Sequence, residues 1–193
     1  EHRGTRVLSP STAGRLVEAL APDPGDDVLV VGVGVGYTAA VVAEIVGGEH
    51  VHAVDIDRRV VYDARDHLAS AGYDDVLVDC RDGADGLPEY APFDRVLVEA
   101  AAVDPPAALL DQLAEGGRLV YPEGTTDQRL VAVEDRETVS VHGPVAFAPL
   151  LVDGEQASAV ERNRTVREDR ERAARAAESR TGWEHEWIDW DGA

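Results

Sequence analysis

Short apolar runs alternate with amphipathic segments along most of the chain. The runs predict strands at Val28–Val31, Val51–Val54, Val76–Val78, Arg95–Glu99, Arg118–Tyr121, Arg129–Glu134 and Thr138–Val145. The amphipathic segments predict helices at Pro10–Ala21, Tyr37–Val46, Arg58–Ala71 and Pro106–Leu113. Because several of the strands are almost continuously apolar, helices must cover both faces of the sheet, as in parallel sheets. The pattern predicts an α/β fold with a doubly wound, mostly parallel sheet of about seven strands.

The C-terminal part of the chain follows a different pattern. Glu155–Ser179 is rich in Arg and Glu, and this composition predicts a long helix with a solvated surface. All three tryptophans follow within residues 183–190, and we expect this aromatic tail to dock on the domain or on a second copy of the chain. We therefore predict a domain over residues 1–152 and a helical extension over 153–193, with the tail as a candidate contact in a homo-oligomer.

The charge of the chain is strongly negative. It has 38 acidic residues against 18 basic ones, a net charge of −20, and every basic residue is Arg because the sequence has no Lys. This balance predicts a protein adapted to high salt, where the Debye length falls to about 3 Å at 1 M and carboxylate repulsion is screened. It disfavours a nucleic-acid partner, which would require a basic stripe.

Targeting, disulfide and metal signals are weak. No apolar run approaches the roughly 18 residues of a membrane span, and no signal peptide is visible, so we expect no membrane partner and a cytoplasmic location. Cys80, the single cysteine, excludes an internal disulfide and a multi-cysteine zinc site. His50, His52 and His67 lack ligand spacing, so no metal is expected. The chain has no Met and begins at Glu1, so we expect a natural N-terminal segment before it.

A glycine-rich turn, VGVGVGYTAA, follows the first predicted strand. Its glycines are Gly32, Gly34 and Gly36, whereas a dinucleotide fingerprint would need glycine where Tyr37 stands and a phosphate loop would need a Lys. Glycines let the backbone approach a ligand closely, and G-x-G-x-G is similar to the turn of S-adenosyl-L-methionine (AdoMet) methyltransferases. The alternative is a tight turn without a ligand. Tyr37 either stacks near the cofactor or packs at the helix start.

Acidic residues end the next two predicted strands. Asp55 follows strand two and can accept hydrogen bonds from both ribose hydroxyls, with Ile56 beside it and Asp57 as the alternative acid. Asp82 and Gly83 follow strand three, where Asp82 can accept from the adenine amino group or serve only as a turn residue. Since the carboxyl ends of parallel strands meet at one edge, these residues predict a cofactor site there.

Five stretches carry a resemblance to a known family. They are LSPST (8–12), VGVGVGYTAAVVAEIVG (31–47), RDGADGLPEYAPFDRVLVEAAA (81–102), LLDQLAEGGRLVYPEG (109–124) and FAPL (147–150). They resemble the protein-L-isoaspartate O-methyltransferase family from about Gly4 to about Val152. The resemblance implies a Rossmann-like methyltransferase fold and AdoMet as cofactor. It also implies that the enzyme methylates the free carboxylate of L-isoaspartyl residues in damaged proteins or peptides.

Two departures from the family pattern affect the acceptor and the cofactor. The family has a serine in its active site where gapless alignment places Leu8, so the adjacent Ser9 becomes the candidate catalytic residue for an acceptor contact. The family also has an acid that helps to bind the methionine end of AdoMet, and Val30 stands at that position. A charge-assisted hydrogen bond of about 1.5–3 kcal/mol is lost there.

A third departure falls after strand four. The resemblance makes Glu99, Ala100 and Ala101 candidate substrate-binding residues, with Glu99 in place of a threonine. Glu99 would repel an anionic acceptor unless salt, protonation or an Arg compensates, or it points into solvent at the strand end. The sequence leaves two other functions open: a methyltransferase of this fold with another acceptor, such as a tRNA base, or a non-catalytic homologue that binds AdoMet or a partner.

Overall fold

The computed structural model describes residues 7–151 of the 193-residue chain. The predicted Arg/Glu helix and the Trp tail lie outside the described residues, as does the predicted domain boundary after residue 152. These therefore stay predictions.

The described part contains four helices, a short 3-10 turn at Gly48–His50 and seven strands. The helices are α1 (Pro10–Leu20), α2 (Tyr37–Val46), α3 (Arg58–Ala71) and α4 (Ala107–Asp111). The strands are β1 (Val28–Val31), β2 (Val51–Asp55), β3 (Leu77–Cys80), β4 (Phe93–Val98), β5 (Leu113–Glu123), β6 (Gln128–Glu134) and β7 (Glu137–Val145).

All seven strands form one sheet, in the order β3-β2-β1-β4-β5-β6-β7. Strands β1 to β5 run parallel, and β6 is antiparallel to both of its neighbours. The predicted α/β fold with a mostly parallel seven-stranded sheet is confirmed. The chain leaves β1 toward β2 on one side and later returns to β4 on the other. The carboxyl ends of β1, β2 and β4 therefore flank a switch point, where ligands bind in open α/β sheets.

The two faces of the sheet carry separate apolar clusters because side chains alternate along each strand. Val28 and Val30 of β1 belong to the cluster under α1, α2 and α3, whereas Leu29 and Val31 belong to the opposite cluster, with Leu109 of α4. All four β1 side chains are buried. The central strand is therefore a core element, and its end is held rigidly.

Two helix starts are set by side-chain caps. We predict caps at Ser11 or Thr12 for α1, but the N-cap is Ser9, whose hydroxyl accepts the Thr12 backbone N–H at 3.2 Å. Pro10 then occupies the first helical position, where its missing N–H costs nothing. Asp57 caps α3 by accepting the Arg59 N–H at 2.8 Å.

The predicted and the observed strand boundaries differ most at β5. We predict Arg118 as its start, because the glycine pair before it resembles a break. The strand instead begins at Leu113, because Leu113 pairs with Phe93 at the start of β4. The same pairing shortens α4, which ends at Asp111 instead of reaching Leu113. Long-range pairing here overrides the local breaker signal.

Candidate functional site

A cavity of about 680 Å³ lies at the carboxyl edge of the sheet, where β1, β2 and β4 end. Ligand sites of small molecules are typically about 300–1,000 Å³. Its walls come from the segments that follow β1, β2, β3 and β4, and from residues 146–151, which we call the strap. Asp55 and Glu99 are the only charged residues among the lining residues of the described chain. The cavity therefore favours a ligand that is largely apolar and carries positive charge.

The glycine turn forms the floor of this cavity. Gly32, Gly34 and Gly36 all adopt left-handed backbone conformations, with φ of 85°, 55° and 86°, which residues with a Cβ rarely adopt. At Gly36 space is also limited, because a Cβ there would lie 3.1 Å from Cγ of Leu68. The turn therefore needs glycines, and through Gly36 it lets α2 begin against α3. Gly32 and Gly34 line the cavity.

Asp55 holds the turn in place from the neighbouring strand. Its Oδ2 accepts the Gly34 N–H at 3.2 Å, and its Oδ1 accepts the Asp57 N–H at 3.0 Å. Burial raises the pKa of Asp55 above its usual range, and the two backbone donors oppose that shift. Each carboxylate oxygen keeps a further lone pair for a ligand hydroxyl. Asp57 caps α3 and does not line the cavity, so Asp55 is the acid in place.

Glu99 lies directly after β4, beside the first glycine. Its backbone N–H donates to the Val31 carbonyl oxygen at 2.8 Å, and its carboxyl group accepts a hydrogen bond from Thr38. Oε1 is enclosed and has no hydrogen-bond partner in the described chain. Burial raises the pKa of Glu99 to about 8, Thr38 opposes this shift, and the Asp55 charge adds to it. The alternative that Glu99 points into solvent is therefore wrong.

The strap closes the cavity by pairing with the segment after β4. The Ala101 N–H donates to the Ala148 carbonyl oxygen, and the Leu150 N–H donates to the Ala101 carbonyl oxygen, both at 2.8 Å. Ala101 therefore holds the strap and is not among the lining residues, whereas Ala100 lines the cavity. The sequence analysis identifies FAPL (147–150) only by its resemblance to the family and does not predict that it forms a wall of the cavity. No periodic pattern marks so short a segment after the last strand.

The remaining predicted cofactor residues divide between the cavity and its surroundings. Ile56 and Gly83 line the cavity. Asp82 does not, and its carboxylate accepts the Ala84 N–H at 2.8 Å within the turn after β3. Tyr37 lies in a separate apolar groove, partly exposed beside His67. The structure thus brings the backbone of the β3 turn to the ligand edge but does not bring Tyr37 there.

Ser9 lies in a neighbouring cavity, of about 430 Å³, that shares Leu8 and Ala146 with the first. Its hydroxyl caps α1 and lies 2.9 Å from the hydroxyl oxygens of both Ser11 and Thr12. Among residues 7–151, Arg15 is the only charged residue that lines this second cavity, and its guanidinium donates to the His142 carbonyl oxygen at 2.7 Å. Arg15 is a site residue that the sequence analysis did not propose, whereas Leu8 was named there only as the residue in place of the family's serine.

Residues 7–151 contain neither a candidate metal site nor a helix that could span a membrane. The side chains of His, Cys, Asp and Glu form no group of three or more that could hold a metal ion in this part of the chain. None of the helices described there combines the length and apolar character that a membrane crossing requires.

Comparison with protein families assigns the chain. A family model described as "Protein-L-isoaspartate(D-aspartate) O-methyltransferase (PCMT)" matches residues 3–156. The chain belongs to this family. Strands β1 to β7, both acids of the cavity and the strap all lie within the matched range.

Individual relatives agree with the PCMT assignment. The protein-L-isoaspartate O-methyltransferase of Aeropyrum pernix is 42% identical over 135 residues, which cover 69% of this chain and 52% of that protein. That of Methanocella arvoryzae is 42% identical over 149 residues, covering 75% and 79%. A solved protein-L-isoaspartate O-methyltransferase superposes with a TM-score of 0.68 at 28% identity, covering 84% of this chain and 53% of that one. The chain thus spans about half the length of two of these proteins.

Glu99 and the buried β1 residue Val30 lie on the same face of the sheet. Val30 is fully buried in the core and pairs in register with Leu97 of β4. Glu99 lies two residues beyond Leu97, and its bond to Thr38 of α2 places its side chain on that same face of the sheet. The resemblance predicts an acid in β1, where Val30 stands, and the structure places an acid at the end of the adjacent strand β4.

Proposed function

We propose that this chain is an AdoMet-dependent methyltransferase that methylates the carboxylate of isoaspartyl residues in damaged proteins. One observation carries the proposal: in a chain of the PCMT family, the glycine turn and Asp55 meet at a cavity of suitable size at the switch point of the sheet. The activity, the cofactor and the acceptor are all part of the proposal.

The residues present fit AdoMet. Asp55 offers two carboxylate oxygens to a ribose diol. The glycines have no side chains, so a ligand can approach the backbone of the turn closely. AdoMet has no phosphate and carries positive charge, in agreement with walls whose only charged groups among the described residues are two acids. At Gly83 a Cβ would lie 2.3 Å from Cγ1 of Val31, so the β3 turn can approach the cavity only as glycine.

The reaction requires the protein mainly to position the methyl donor and the acceptor carboxylate. AdoMet supplies a methyl group that its own sulfonium charge activates, and an acceptor carboxylate is already a nucleophile. The chain therefore needs no general base, and its contribution is to hold the two groups in line and to exclude water. The apolar strap and Leu8 serve the second purpose in this proposal.

The acceptor site follows from the two neighbouring cavities. We propose that the isoaspartyl peptide enters over Leu8 from the cavity that holds Ser9 and Arg15. Arg15 is the cation there that can attract the acceptor carboxylate. Glu99, whose pKa is about 8 because it is buried, is mostly neutral at pH 7 in the free protein and in that state does not repel the acceptor. Ser9 can contact the acceptor only if its hydroxyl leaves the α1 cap.

The test uses the full chain in high salt with methyl-labelled AdoMet and an isoaspartyl peptide, with the matching Asp peptide as control. We expect a base-labile methyl ester on the isoaspartyl peptide alone. Asp55→Ala should abolish AdoMet binding, whereas Asp66→Ala, at an exposed acid of α3, should leave it unchanged. AdoMet binding without any ester would contradict isoaspartyl methylation and would favour another acceptor or a non-catalytic binding role.

A further inference from the structure

The two acids of the main cavity have different surroundings. Both oxygens of Asp55 accept backbone N–H groups, from Gly34 and Asp57. Glu99 has the Thr38 hydroxyl for its carboxyl group, while Oε1 is enclosed and has no hydrogen-bond partner in residues 7–151. A buried carboxylate without a compensating charge costs several kcal/mol of free energy. Glu99 is therefore the acid of this site that has an oxygen without a hydrogen-bond partner among the described residues.

None of the described side chains that line the cavity offers Oε1 of Glu99 a hydrogen bond or a positive charge. The groups that face Glu99 are Thr38 from α2, Asp55 from β2 and the backbone of Gly32 after β1, while the strap is apolar. Asp55 is itself an acid, and its charge raises the free energy of an ionised Glu99. Since none of the described lining residues carries a positive charge, a proton or the cation of a ligand would neutralise Glu99 within these walls.

We propose that Glu99 is the counter-charge for the cationic methionine portion of AdoMet, an inference that rests on the proposed function. The ribose then lies at Asp55 and the positively charged end points toward Glu99. In the free protein Glu99 holds a proton. When the cation enters, that proton is released to solvent and the carboxylate pairs with the positive charge.

The sheet supports this orientation. Asp55 ends β2 and Glu99 follows β4, and these strands lie on either side of β1. Neighbouring strands lie about 4.8 Å apart, so the two acids stand on strands roughly 10 Å apart. A ligand with a diol near one end and a cation toward the other matches this separation. Val30 is apolar and buried in the core, so β1 supplies no acid to the cavity. Glu99 is therefore the described acid on the far side of β1 from Asp55.

Proton release provides a readout independent of catalysis. Burial raises the pKa of Glu99 to about 8 in the free protein, and a nearby cation lowers that pKa. At pH 7, AdoMet binding should therefore release close to one proton per chain, and affinity should increase with pH up to about 8. Above pH 8 the proton is already gone, so release should fall toward zero.

The experiment is titration calorimetry of the full chain with AdoMet at pH 7 and pH 9, in buffers of different ionisation enthalpy. The variants are Glu99→Gln, which keeps a group of the same shape for Thr38, and Glu115→Gln, a control at an exposed acid. A second ligand, 5′-methylthioadenosine, carries the nucleoside without the positive charge. High salt is acceptable because buried charge pairs are weakly screened.

We expect wild type and Glu115→Gln to release about one proton at pH 7, and Glu99→Gln to release almost none. At pH 9, Glu99→Gln should bind AdoMet about tenfold more weakly than wild type, the order expected for one charge-assisted interaction. Binding of 5′-methylthioadenosine should change less than about twofold.

Three results would overturn the inference. Equal proton release in Glu99→Gln and wild type would exclude Glu99 as the titrating partner. Equal weakening of AdoMet and 5′-methylthioadenosine would show that Glu99 only shapes the wall. In both of these cases methyl-ester formation by the wild type would leave the proposed function standing. No AdoMet binding by the wild-type chain would overturn the proposed function together with this inference.

Discussion

Gln128 and Phe147 hold each other through two hydrogen bonds. The Phe147 N–H donates to Oε1 of Gln128 at 2.6 Å, and Nε2 of Gln128 donates to the Phe147 carbonyl oxygen at 2.9 Å. Nε2 also lies 3.1 Å from the Thr125 carbonyl oxygen. Gln128 is the first residue of β6, so one side chain at the end of a core strand holds the strap over the cavity.

Gln128→Ala should loosen the strap. The change removes three hydrogen bonds, each of which contributes about 0.5–1.5 kcal/mol, so we expect the free energy of unfolding to fall by about 1.5–4.5 kcal/mol and AdoMet to bind more weakly. Urea denaturation and calorimetry measure the two effects. Arg129→Ala, on the same strand, breaks an exposed pair with Glu123 and should cost less than about 1 kcal/mol. Equal losses in the two variants would contradict the role of Gln128.

Gly83→Ala should destabilise the protein and narrow the cavity. The new Cβ would lie 2.3 Å from Cγ1 of Val31, which is buried and cannot move away freely. Overpacking of this kind costs about 1–3 kcal/mol. Gly14→Ala is the matched control, because Gly14 lies in α1 with nothing within 4 Å of its Cβ position. That change should stabilise the protein by about 0.5–1 kcal/mol.

The Gly83 effect should depend on Val31. Val31→Ala removes the clashing methyl group, so the double variant should be at least about 1 kcal/mol more stable than the sum of the two single changes predicts. Urea denaturation of the four proteins gives this coupling energy. Additive changes would mean that the close approach of Gly83 to Val31 does not explain the glycine.

Glu99→Gln should change how stability depends on pH. The pKa of Glu99 is about 8 in the folded protein because of burial, against 4.5 as its ordinary value. Between these values the folded state binds more protons than the unfolded state, so the free energy of unfolding falls as pH rises through this window. The difference in stability between the variant and wild type should therefore grow in favour of the variant from pH 5 to pH 9. If urea denaturation gave the same stability difference between the variant and wild type at every pH in that range, this prediction would be wrong.

Salt should stabilise the chain. With a net charge of −20, repulsion among carboxylates opposes folding at low salt. The Debye length shrinks from about 10 Å at 0.1 M to about 3 Å at 1 M, which weakens that repulsion. We expect the midpoint of thermal unfolding to rise steadily from 0.1 M to 2 M KCl. A midpoint that does not rise would argue against the high-salt interpretation of the composition.

Local patterns determined much of the fold. The sequence predicted β1, α2 and α3 with the bounds that the structure has, because apolar continuity, the glycine turn and the C-terminal Gly72 act within a few residues of one another. It also placed Asp55 at the end of a strand beside that turn. These features need only neighbours along the chain, and neighbours along the chain are what a sequence displays.

Only the tertiary structure decided the character of the site. Glu99 is buried, and the groups that act on its carboxyl group, the Thr38 hydroxyl and the Asp55 charge, are distant along the chain. The strap joined the cavity through its pairing with Ala101, and Ser9 proved to be the helix cap. Burial, pairing and cavity walls arise when distant segments pack together, and a pKa follows from burial. A single chain read along its length therefore names the acids of this site but cannot assign their protonation.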